Sequence, residues 1–168
     1  MKLVQAIQAA AAIITGIFIT FSQVHDAQIG NIGLVIIATG FAASTAMLAV
    51  KNNSRNINII KFAFYLAILI FAAVLIVQAD QLWFYGLMVV WPFVNGFFEV
   101  GKFFTSTAGS IERKDSALSA FINFGLILAV SVSGLVSGID PVAFVGFFGA
   151  YAIILGVHLG IGSASPKA

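Results

Sequence analysis

QADQLWFYGLMVVWPFVNG, residues Gln78–Gly96, turns at Asp80 and then stays apolar well past the length of a strand. Continued to Phe104, the run exceeds the roughly 20 apolar residues that cross a bilayer. Backbone groups in lipid must be bonded within their own segment, so such a run reads as a transmembrane helix. The chain lacks the alternating ~10-residue pattern of an outer-membrane barrel. Two further stretches share the plan, VHDAQIGNIGLVIIATG at Val24–Gly40 and GIDPVAFVGFFGAYAIILG at Gly138–Gly156. In each, an apolar helix ends in a tight turn carrying Asp26, Asp80 or Asp140, and the next helix opens with Gly33, Gly86 or Gly146. A second glycine follows at Gly96 and Gly156, with Ala43 at the matching place in the first stretch. Either one ancestral αα unit is used three times, or small residues and turn aspartates recur by chance in Gly-rich membrane helices.

Outward from these turns, hydropathy predicts an all-α membrane protein with spans at Leu3–Phe21, Ile29–Val50, Ile57–Val77, Leu82–Phe104, Ala117–Val136 and Pro141–Ile161. They pair as three αα-hairpins, about 3–50, 57–104 and 117–161, in a single membrane domain. The first span follows Lys2 but is longer than a ~7–15-residue signal-peptide core, so it is expected to be retained. A chain that is 61% hydrophobic and 8% charged has too little polar surface to enclose a water-soluble core.

Charge predicts the orientation. All eight Lys and Arg fall on one side, many of them in or beside the polar loops Lys51–Asn56 and Thr105–Ser116, whereas the other side carries only Asp26, Asp80 and Asp140. Basic short loops resist translocation, which puts both termini in the cytoplasm and the protein, as a multi-pass chain, in the plasma membrane. The basic residues are spread thinly and form no patch for nucleic acid. Lys61 and Lys102, near helix ends, are expected to snorkel to the cytoplasmic interface, and Trp83 and Tyr85 to anchor the opposite one. Absence of Cys excludes disulfides, thiolate metal sites and a cysteine nucleophile.

Small residues line up on two spans. Gly149, Ala152, Gly156, Gly160 and Ser163 form a stripe on the sixth, and Gly33, Gly40 and Ser44 a similar face on the second. Such faces let backbones approach closely, either within one subunit or in a homo-oligomer or larger membrane complex. Among polar residues, Glu99 is the one carboxylate well inside a span, with Asn95 a turn before it and Pro92 before that, where a proline can kink the helix and open space. His158 enters from the sixth span at nearly the same depth. Two readings stand: a protonatable Glu99–His158 pair, or a structural i,i+3 ion pair of Glu99 with Lys102. His25, in the first outer turn, could titrate with an acidic exterior, its ordinary pKa being about 6.5. With His25 and His158 on opposite sides, neither a metal site nor bis-His haem is expected, and no cofactor is assigned. No phosphate-binding loop, H-E-x-x-H or G-x-S-x-G motif is present, so no enzyme is expected.

The hairpin plan and the stretches FSQVHDA at Phe21–Ala27 and VGFFGAYAIILGVHLGI at Val145–Ile161 resemble the HdeD-like membrane proteins, including their actinobacterial relatives, built from short repeats of unknown function. The resemblance implies a small bacterial plasma-membrane protein, with an acid-resistance association for the family's namesake, and supplies no catalytic residues. The expected function is that of a non-enzymatic envelope-stress component or an accessory subunit of a larger complex. The alternative is a small proton-linked transporter or channel using Glu99 and His158.

Overall fold

The structure, a computed structural model, describes residues 2–51 and 55–165. Residues 52–54, in the basic Lys51–Asn56 loop, and 166–168, which include Lys167, lie outside the described residues. The described chain is six helices: α1 (Lys2–Phe21), α2 (Ala27–Lys51), α3 (Arg55–Gln78), α4 (Gln81–Thr105), α5 (Ile111–Ser137) and α6 (Pro141–Ala164). All six are long and apolar enough to cross a membrane, and the chain is a multi-pass integral membrane protein in contact with the lipid bilayer.

Five helices begin within two residues of the sequence-based spans. The exception is α5, which starts at Ile111 instead of Ala117, so half of the expected Thr105–Ser116 loop is helical. Hydropathy does not register this polar extension, because a helix can leave the lipid and continue in water. Its start is set by Ser110, whose Oγ accepts from the backbone N–H of Arg113, and by Glu112 in the first turn. On the opposite face each turn aspartate caps the helix that follows. Asp26 accepts from the N–H of Ile29, Asp80 from those of Leu82 and Trp83, and Asp140 from that of Val142.

The helices close a ring in chain order. The most extensive contacts join α2 to α3, α1 to α6 and α4 to α5, while the turn-connected pairs α3–α4 and α5–α6 touch far less. The even-numbered helices also meet one another, which puts α2, α4 and α6 at the centre. Counted from the capping aspartates, matching positions of these three are buried: Gly30, Phe84 and Phe144, then Leu34, Met88 and Phe148, then Ile37, Trp91 and Tyr151. Further along come Phe41, Asn95 and Leu155, followed by Ala42, Gly96 and Gly156.

This register corrects two details of the sequence comparison. Ala42, which is buried, holds the place assigned to Ala43, which is exposed. Gly86 and Gly146 face open space, whereas Gly33 packs against Ile19, Phe148 and Thr15. The shared spacing runs from the aspartate caps, and in it Gly33 stands one residue later than the other two.

The small-residue faces of α2 and α6 both meet α1 within one chain. A methyl group on Gly40 would overlap Ala11, one on Gly149 would come within 2.8 Å of Ile19, and one on Gly156 within 2.6 Å of Ile13. Gly160 is looser, its nearest neighbour being Ala9 at 3.9 Å. Trp83 is exposed at the turn face, edge-on to Phe71, as an interfacial anchor would be. Tyr85 instead turns inward and packs on Phe144, since its place on α4 faces the central helices.

Candidate functional site

The half of the ring nearest the termini encloses a cavity of about 250 Å³ to which all six helices contribute. Helical spacing selects the lining. Asn95, Glu99 and Lys102 lie on one face of α4, Asn58, Lys61 and Tyr65 on one face of α3, and Asp115, Ser119 and Asn123 on one face of α5. From α6 come Tyr151 and His158, from α2 Phe41 and Thr45, and from α1 Gln5 and Gln8. α4 runs unbroken through Pro92, which is buried against the central core.

The cavity's inner end is a cross-helix network. Trp91 Nε1 donates to the Tyr151 hydroxyl at 3.1 Å, and that hydroxyl donates to Asn123 Oδ1 at 2.8 Å. The Asn123 amide donates in turn to the Ser119 carbonyl at 2.8 Å. On the other side, the Tyr65 hydroxyl donates to Asn95 Oδ1 at 2.7 Å, and the Asn95 amide donates to the Trp91 carbonyl at 2.8 Å. Buried polar groups in an apolar ring are costly unless bonded, and these are bonded. His158 Nε2 lies 2.9 Å from Ser119 Oγ and 3.3 Å from the Asp115 carbonyl, which fixes the ring against α5.

The charged groups are held differently. Among the described residues the one ion pair joins Lys102 to Glu112 at 3.8 Å. The Lys61 ammonium sits over the Phe98 ring, 4.8 Å from its centroid. The Glu99 and Asp115 carboxylates line the cavity with neither an ion-pair nor a hydrogen-bond partner among the described residues. Both pairings expected of Glu99 are therefore absent. Lys102 reaches across to Glu112 because α5 begins a turn and a half earlier than hydropathy indicates, and His158 is taken by Ser119.

Towards the turn face the centre is solid. Phe84, Met88, Trp91, Phe144, Phe148, Leu34 and Ile37 are all wholly buried and fill the space between the central helices. Asn31, in the same half, is also wholly buried, and among the described residues neither its amide nitrogen nor its oxygen has a hydrogen-bond partner.

No family model, curated protein or solved structure matches the chain. Of the residues singled out from sequence, Asn95, Glu99 and His158 share this cavity, whereas His25 lies in the α1–α2 turn on the opposite face. Sequence reading missed Tyr65, Tyr151, Ser119 and Asn123. Asn123 carried a usable signal, as an amide well inside the fifth span with Ser119 and Asp115 at four-residue steps behind it. Among the described residues no three His, Asp or Glu side chains converge as metal ligands, so the chamber offers charge and hydrogen bonds.

Proposed function

We propose that this integral membrane protein takes a small polar solute from the aqueous phase at its terminus face into the central chamber and carries it across the bilayer without covalent chemistry. The observation that carries the reading is Glu99, an ionisable side chain within the ring that lines a polar chamber and has no ion-pair or hydrogen-bond partner among the described residues. Ionisable residues inside a membrane are expensive and mark substrate and ion pathways. The packed aromatic half argues for a carrier that changes shape rather than an open pore. The distribution of Lys and Arg supports a cytoplasmic chamber mouth in a plasma-membrane protein.

The resemblance to HdeD-like proteins supports a bacterial protein built from three copies of one hairpin unit, and its longer stretch, Val145–Ile161, supplies Tyr151 and His158 to the chamber. In proteoliposomes with an imposed pH gradient, the wild type should give solute- or proton-dependent flux and Glu99→Gln should abolish it while keeping its elution profile and thermal midpoint. Equal flux in both proteins, or none in either, would exclude the carrier reading.

A further inference from the structure

We infer that the chamber's ligand is a small organic cation of the alkylammonium class. This rests on the solute-binding reading above and adds the sign and shape of the solute. The chamber contains cations and carboxylates, but they are not equally engaged. Lys102 is paired with Glu112, and Lys61 is seated on Phe98 within range of the Glu99 charge, whereas among the described residues neither Glu99 from α4 nor Asp115 from the neighbouring α5 has an ion-pair or hydrogen-bond partner. Both carboxylates are half-buried, so each has lost part of its hydration, which a positive partner or strong donors replace. An ammonium group with three N–H donors meets that need directly. An anion would have to draw Lys102 from Glu112 and Lys61 from its ring, and would still face two carboxylates.

The remaining walls fit the rest of such a molecule. Tyr65, Tyr151 and Phe41 add aromatic surface, which attracts ammonium groups, and Leu155 and Leu159 add an apolar side for an alkyl chain. The space, about 250 Å³, suits a small molecule.

Trp91 provides the readout, because its indole N–H donates to the Tyr151 hydroxyl that lines the chamber. Trp83→Phe leaves Trp91 as the single tryptophan. This protein in lipid nanodiscs is titrated with n-butylammonium chloride, sodium butyrate and n-butanol at constant ionic strength, following both Trp91 emission and the thermal midpoint. Butylammonium should give a saturable emission change and raise the midpoint. Glu99→Gln and, independently, Asp115→Asn should weaken it by at least about tenfold, the loss expected for one charge-assisted hydrogen bond. Lys114→Gln, at an exposed residue outside the chamber lining, should leave it unchanged.

Saturation by butyrate alone would overturn the cation class while leaving a solute chamber in place. An equal response to butanol would reduce the chamber to an apolar cleft and overturn both readings. No response to any of the three from a folded protein would overturn the cation class, and Glu99-dependent flux in vesicles would then decide the carrier reading separately. If Glu99→Gln fails to fold, Asp115→Asn carries the comparison.

Discussion

At the scale of single residues, the molecule divides its buried polar groups into those that are satisfied and those that are not. Tyr151 links Trp91 to Asn123 across three helices, so Tyr151→Phe should remove two hydrogen bonds and strand both partners. Thermal or denaturant unfolding in detergent should show a loss of about 1–3 kcal/mol; no loss would mean that water replaces the hydroxyl without penalty. Asn31 is the converse case. Its amide is buried with no partner, so Asn31→Leu, which keeps the approximate volume and removes the unsatisfied groups, should raise stability by about 1–3 kcal/mol. A lower unfolding midpoint would show that the amide has a partner in the folded protein. Glu99, Asn95 and His158 were legible because a polar residue stands out in an apolar run. Lys61 and Tyr65 were just as visible, but one helix's sequence does not say that they face the same space as Glu99. The partner of Lys102 was misassigned for a related reason: a neighbour on the same helix is obvious in sequence, and one on another helix is not.

At the scale of helices, length and ends were mostly readable, since apolar runs and capping aspartates are local signals. The start of α5 was not, because Ile111–Ser116 is polar and its helicity follows from the Ser110 cap. The glycine stripe was readable as a packing face but not in its gradations, which depend on what α1 places opposite each position. Gly156→Ala should be costly, because its methyl would press on the backbone nitrogen of Ile13 at 2.9 Å and the carbonyl of Ala9 at 3.1 Å, atoms that move only if α1 moves. We expect a destabilisation of about 1–3 kcal/mol. Gly160→Ala, with Ala9 at 3.9 Å, and Gly86→Ala, with nothing within 4 Å, should be neutral or raise stability by up to about 1 kcal/mol through helix propensity. Measuring all three in one detergent checks the ranking; equal losses would place the stripe outside the α1–α6 contact.

At the scale of the whole molecule, the chamber opens towards one face and the packed half seals the other, and this gives a labelling pattern. The native chain has no Cys, so single replacements need no background changes. An impermeant maleimide should reach Cys in place of Gln28, Gln81 or Gly138 from outside the cell, and Cys in place of Ser110 or Gln8 only in inverted vesicles. Labelling of the Gln8 position from both sides would reveal a continuous pore, and outside labelling at Ser110 would reverse the orientation. That the chain folds as three hairpins was within reach of the sequence, but not that they close a ring in which each leans harder on the next hairpin than on its own second helix, because a turn reveals adjacency and not closeness of fit. This pattern has a consequence for how the protein is made. Of the six helices α1 is made before the others, yet its principal partner, α6, is made after them. Until then the small-residue flank of α1 and the chamber face of α4, Glu99 included, border lipid or a chaperoning insertion site in place of their final neighbours. The ring of six should therefore close in a single late step, and a nascent chain stalled before α6 would be an open arc with charged groups turned towards hydrocarbon, a form that membrane quality-control proteases should clear quickly.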